Sequence, residues 1–405
     1  MSLLKPARRL PNSILLGIVA FFVFSLYLLS VKGETSAVPY FRAERMRASA
    51  PGITNDIYNN TLGFEKIFVI SLPSRTDRRD GMVLAAALSN LEIDFIDGVN
   101  GRDVPDKALL SSQEELKRLA DPVIGAWRAH MNAIQEIVRR NLSSALIMED
   151  DADWDIRIRS QLHDLALATH ALTQPLLSPP DSFADPTYPN GTFGPPSLPD
   201  LDFASLPRTQ APTTSPYGDA WDVLWAGHCG MAFPFANNRA LPKLRITHTP
   251  DPTVPQRQHL APTISGLEHM YPSHTRVYHH VQDPCCSLAY AVSRSGARKI
   301  LRQVGLKDVN QPFDLQLKSF CEGGGSPDRG GPYTCVTAQP GFFAIHRAKG
   351  GRGANSDITD IGGDGGGVQE GETRGVRWSV RMNLDGLIRD GGEVVDLYPD
   401  EGGEG

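Results

Sequence analysis

Three consecutive carboxylates, Glu149-Asp150-Asp151, end the short apolar run Ala145-Leu146-Ile147-Met148. The apolar run reads as a buried strand, and three acids at its end concentrate negative charge that calls for a cation. Oxygen ligands of this kind suit Mg²⁺ or Mn²⁺, which keep open positions for substrate phosphates. Acids at a strand end also serve as a solvated turn or a helix cap, and the motif alone does not separate these readings. A calcium loop counted from Asp151 through Asp153 and Asp155 is excluded. Its sixth position is Ile156 where glycine is needed, and its twelfth is Leu162 where glutamate is needed.

The elements that must position these acids can be read on both sides of them. Lys66-Ile67-Phe68-Val69-Ile70-Ser71-Leu72 is apolar on both faces, as expected of a buried parallel strand, and Pro73 ends it. Ser74 to Arg79 follows as loop and helix start, with Thr76 or Asp77 as the expected cap. A second strand, Ile93 to Ile96, closes at Asn100-Gly101. A helix with Met131, Ile134 and Val138 on one face then leads to the acidic strand. Strand, helix, strand, helix, strand predicts an α/β domain with a mostly parallel sheet, whose ligands bind at the carboxyl ends of its strands. Further strands are expected at Asp222–Gly227, Ser287–Val292 and Phe342–Ile345. A helix is expected from Ser295, stopped by Gly305.

Residues 175 to 216 hold 11 prolines and little periodicity, which predicts a surface insertion, partly disordered. Glycine and charge dominate the end of the chain, so 348–405 is expected to be a Gly-rich, poorly ordered tail. Ser13 to Val31 carries no charge and is long enough, at roughly 20 residues, to cross a bilayer. Lys5, Arg8 and Arg9 precede it, so residues 1–12 are expected to be cytoplasmic, 13–31 a signal anchor and 32–63 a stem. A cleaved signal peptide is the rival, and it has a shorter apolar core. Either version sends the body of the chain into the secretory pathway, where Asn59, Asn141 and Asn190 are glycosylation sequons.

A net charge of −6 and a pI near 6.0 give no basic footprint for nucleic acid. Neither CxxC, HExxH nor GxxxxGK[ST] occurs, which removes the common zinc, protease and P-loop readings. Five cysteines in an oxidising compartment leave at least one unpaired within the chain. Cys321 with Cys335 is the first expected disulfide, and Cys229 with Cys285 or Cys286 the second.

Together these pieces resemble glycosyltransferase family 25, the group that includes lipooligosaccharide and collagen galactosyltransferases. The matching segments are IFVISLPSRTDRRD (67–80), DFIDGVNGRD (94–103), GAWRAHMNAIQEI (125–137), ALIMEDDADW (145–154), WDVLWAGHC (221–229) and CSLAYAVSRSGARKIL (286–301), with PFDLQL (312–317) as a weaker match. Their order and spacing agree with the family over about 64–347.

The resemblance implies a GT-A type fold, a UDP-sugar donor, Mn²⁺ or Mg²⁺ as cofactor and inversion at the transferred sugar. It assigns Asp151 as catalytic metal ligand, Glu149 to the metal, its water or the donor ribose, and Asp150 as support. Likeness to some GT-A enzymes implies His346 as a further metal ligand, with a structural histidine after an aromatic run as the other reading. The resemblance also implies that Arg75 and Arg78 contact the donor and that Asp314 is the base for the acceptor hydroxyl, against a solvated first helical turn for the arginines and a helix cap after Pro312 for Asp314. The chain departs from the family at Ala129, where a serine usually precedes His130. The function implied is transfer of a sugar, by precedent galactose, to a glycan or protein acceptor in the Golgi or endoplasmic reticulum. The alternatives are a catalytically inactive glycan-binding or scaffold protein of the same fold, and a metal-dependent hydrolase.

Overall fold

The computed structural model describes residues 52–110, 118–189, 191, 194–260, 265–307, 309–323, 333–351, 357, 368–389 and 392–401. The expected anchor at 13–31 lies outside these residues, as do the tail before it and most of the stem. No described helix is long and apolar enough to cross a membrane.

In chain order the strands are β1 (Lys66–Ser71), β2 (Asp94–Asp97), β3 (Ser144–Glu149), β4 (Ala152–Trp154), β5 (Leu201–Asp202), β6 (Val223–Gly227) and β7 (Gly230–Ala232). They continue with β8 (Ile246–His248), β9 (Arg276–His280), β10 (Gln282–Cys285), β11 (Ala289–Ser293), β12 (Cys335–Gln339), β13 (Phe343–Arg347) and β14 (Glu372–Thr373). The helices that matter here are α1 (Thr76–Leu88), α2 (Asp121–Arg139), α3 (Ile158–Thr173), α4 (Arg294–Ile300), α5 (Phe313–Cys321) and α6 (Leu384–Ile388).

Among the described residues nine strands form one sheet in the order β2-β1-β3-β11-β6-β12-β9-β8-β5. Seven of them run one way, and β11 and β9 run against them. The expected mostly parallel sheet is therefore right, with β2-β1-β3, which carries the acids, wholly parallel and β11 entering antiparallel between β3 and β6.

The apolar runs have no polar face because the sheet is covered on both sides. Ile67, Val69, Leu146 and Met148 face a layer that includes Met82 and Ala85 of α1 and Leu162 and Leu165 of α3. Phe68, Ala145 and Ile147 face Trp127, Met131 and Ile134 of α2 and Phe313 and Leu317 of α5. Successive strand residues thus alternate between two cores. This three-layer α/β architecture fits a GT-A-like fold.

Two low-complexity stretches are better built than their composition predicts. In the proline-rich 175–216 segment, Asp185 is wholly buried and accepts from the Thr187 backbone at 2.7 Å and from Leu244 N at 2.9 Å. Its β5 extends the sheet edge, and Leu198, Leu201 and Phe203 pack on the core. The expected poorly ordered tail also differs. Residues 368–389 and 392–401 include β14, α6 and the fully buried Ser379 and Val380. Single buried carboxylates, Asp153 and Asp155, gather this segment, and such anchoring leaves no periodic pattern to read.

Candidate functional site

β1, β2 and β3 are parallel neighbours, so their carboxyl ends open on one side of the sheet. Arg79 braces this end, donating to Ser71 O at 2.9 Å and to Asp97 Oδ1 at 2.5 Å. Helix α1 starts there with Arg75, not Thr76 or Asp77, at the cap position, and the Arg75 side chain makes no cap bond. The first turn instead directs Arg78 to the acids, with Nη1 at 2.6 Å from Asp150 Oδ1 and 3.3 Å from Asp151 Oδ2. Arg75, also near the mouth, bonds Asp77 at 2.9 Å and Asp357 at 2.6 Å.

The three acids occupy three environments. The Asp150 residue is buried at 6 % exposure and is held by Arg78. Asp151 has 17 % of its side chain exposed, and its Oδ1 is buried with no hydrogen-bond partner. Burial, with Glu149 and Asp150 adding repulsion and Arg78 opposing, pushes the Asp151 carboxyl up to about 7. Glu149 is the most open, with 37 % of its side chain exposed. Burial works against its ionisation, but the His130 imidazole and the Ser287 hydroxyl outweigh it and hold the carboxyl below its usual range.

His130 lies 3.6 Å from Glu149 Oε1, bonds the Tyr290 hydroxyl through Nδ1 at 2.9 Å and stacks on Phe313 at 4.3 Å. Ser287 reaches Glu149 at 3.1 Å and His130 Nε2 at 3.4 Å. The hydroxyl that Ala129 cannot supply beside His130 is thus supplied from the segment leading into β11.

After the acidic turn the chain enters β4, which pairs with β13 in a second, antiparallel sheet. The ladder continues into the turn, where His346 N donates to Asp151 O at 2.7 Å. His346 therefore stands opposite Asp151, and directly opposed residues project to the same face. Burial, reinforced by Arg381 and Arg78, lowers its imidazole to about 4, so it is neutral at pH 7. From the far end of the chain, Arg381 Nη2 donates to Asp150 O at 2.7 Å.

Asp314 begins α5, where its Oδ2 accepts from Cys286 N at 3.0 Å. The adjoining Ser287 bonds Glu149, and Phe313 stacks on His130, so two short connections join Asp314 to the acidic turn. The Cys229–Cys286 disulfide pins this segment, Cys321–Cys335 forms the second bridge, and Cys285 is the free thiol.

The structure thus gathers Glu149, Asp150, Asp151, Arg78 and His346, sets Asp314 one residue-layer away, and turns Arg75 toward aspartates. Sequence reasoning missed Ser287, Thr373 and Arg381, which no local pattern marks, and read Asp153 only as part of a failed calcium loop. Among the described residues no group of three or more His, Cys, Asp or Glu side chains converges as a metal cage. Mg²⁺ and Mn²⁺ sites commonly use one or two carboxylates and substrate phosphates. The orphaned Asp151 oxygen, on a residue whose backbone pairs with that of His346, fits that pattern.

Residues 64–175 match the family described as Glycosyltransferase family 25 (LPS biosynthesis protein). Procollagen galactosyltransferase 2 of Homo sapiens is 30% identical over 123 residues, 27% of this chain and 19% of that protein. Inactive glycosyltransferase 25 family member 3 of Homo sapiens is 30% identical over 133 residues, 30% of this chain and 22% of that protein. Procollagen galactosyltransferase 1 of Danio rerio is 31% identical over 119 residues, 26% of this chain and 19% of that protein. The aligned part of this chain spans about a fifth of the length of these relatives.

Proposed function

From residues 64–175, which match glycosyltransferase family 25, we infer that this chain transfers a hexose from a UDP-sugar to a glycan or protein acceptor, with inversion at the transferred carbon. The donor proposed is UDP-galactose, by analogy with relatives named procollagen galactosyltransferases. The observation that carries the reading is the buried acidic turn at the end of β3, with Asp151 Oδ1 unpartnered beside Arg78 and opposite His346.

Asp151 and His346 would hold Mn²⁺ or Mg²⁺, which supplies positive charge to the diphosphate as the bond from the sugar to it breaks. Glu149, engaged by His130 and Ser287, is better placed to meet a donor hydroxyl or a metal-bound water than the metal itself. Arg78 is the diphosphate contact, since a guanidinium already facing two carboxylates can pair with phosphate oxygens in the same way. Asp314 takes the proton of the acceptor hydroxyl, whose oxygen bonds to the anomeric carbon as UDP leaves with the electron pair. Two disulfides support an oxidising compartment, and with the apolar 13–31 segment they favour a type II protein of the Golgi or endoplasmic reticulum membrane.

A second reading is a protein that keeps the fold without turnover. It is favoured by Arg78 already neutralising Asp150 and Asp151, and by the inactive relative. A panel of UDP-sugars with Mn²⁺, scored for UDP release with and without acceptors, separates the readings. Acceptor-dependent UDP release that is lost with chelator and in Asp151→Ala is expected. Release independent of acceptor indicates a hydrolase, and none with any donor indicates the inactive form.

A further inference from the structure

Asp153 is wholly buried two residues beyond the acidic turn, and four donors converge on it. Its Oδ1 accepts from Trp154 N at 2.8 Å and Arg381 N at 3.1 Å. Its Oδ2 accepts from Ser379 Oγ at 2.5 Å and Thr373 Oγ1 at 2.7 Å. Ser379 Oγ in turn accepts from Met382 N at 2.9 Å, so its proton is directed at the carboxylate.

Thr373 has one hydroxyl proton, and Asp153, which can only accept, takes it. His346 Nδ1 lies 2.9 Å from the same Thr373 oxygen. With that proton committed, the oxygen can only accept from the ring, so Nδ1 carries hydrogen and Nε2 keeps its lone pair. Around Nε2, a Cβ at Gly371 would stand 3.8 Å away, so glycine leaves room beside that nitrogen.

We propose that Asp153 and Thr373 are positioning residues that lock His346 in the Nδ1–H tautomer, presenting Nε2 alongside Asp151 as the second protein donor to a divalent cation. This rests on the metal-assisted reading of the site and extends it to the C-terminal segment, which carries Thr373, Ser379 and Arg381. Outer partners of this type orient metal-binding imidazoles, and their loss weakens metal binding by about 10–100-fold.

The test uses the full chain and two measurements. The first is the tautomer of His346 from ¹⁵N shifts in metal-free protein, assigned with His346→Gln. The Nδ1–H form is expected in the parent and a mixture in Thr373→Val, and an Nε2–H parent overturns the relay whatever the enzyme does. The second is MnCl₂ binding without donor, read by thermal shift and by Mn²⁺ electron paramagnetic resonance. Thr373→Val is expected to bind at least about 10-fold more weakly, with Thr373→Ser restoring affinity to within about three-fold. Equal binding by the valine variant overturns the proposal. So does a parent that binds no Mn²⁺, and acceptor-dependent UDP release insensitive to chelator would then show that transfer proceeds without a metal.

Discussion

Asp151 is the residue whose charge state most directly reports on the site. Its folded carboxyl titrates at about 7 against an ordinary 3.8, so between these values the folded chain binds more protons than the unfolded one. The contribution of this group to stability is therefore full below about pH 4 and is lost as the pH rises through 7. Asp151→Asn removes that slope. Urea melts are expected to show the variant gaining on the parent by about 2–4 kcal/mol between pH 5 and pH 8. A flat difference across that range would mean the carboxyl is not strained by its neighbours. Because a cation and a proton compete for the same oxygen, Mn²⁺ should raise the parent's melting temperature more at pH 8 than at pH 5.5.

At the scale of elements, the segment joining β10 to β11 is what brings two acidic positions into one site. Cys286 N bonds Asp314, Ser287 bonds Glu149, and the Cys229–Cys286 bridge fastens the segment across 57 residues. Replacing both cysteines by serine is expected to cost about 2–4 kcal/mol. Transfer should fall further than stability alone explains, since both contacts lie beside the freed segment. Transfer at the parental rate under conditions where the variant is fully folded would show that the bridge serves stability only.

At the scale of the whole molecule, the sheet separates two poles. Asn141 is exposed just before β3 begins, whereas the acidic turn follows its end, about 20 Å along the strand. A glycan at Asn141 is therefore held away from the cleft. Protein made in secretory cells should carry a glycan there, and Asn141→Gln should shift its electrophoretic mobility while leaving the rate of UDP release unchanged. A rate that changes several-fold would place Asn141 closer to the chemistry than the sheet allows.

The sequence by itself determined the strands that carry the acids. Side chains apolar on both faces, as in 67–72 and 145–148, can be satisfied only inside a sheet covered on both sides, and the burial of Ile67, Phe68, Leu146 and Ile147 bears this out. Open α/β sheets take ligands at the carboxyl ends of their strands, so the sequence alone set the acidic turn on that side of the sheet. The disulfide at Cys321–Cys335 was legible too, because its two cysteines bracket a Gly-rich stretch of sequence. Tertiary structure alone decided the rest: that β11 runs antiparallel, that Ser287 stands beside His130, and that Thr373 and Arg381 reach the turn from a glycine-rich stretch. Periodicity records which face of an element meets the core. It holds no record of a contact made by one side chain across more than two hundred residues, as Thr373 makes with Asp153.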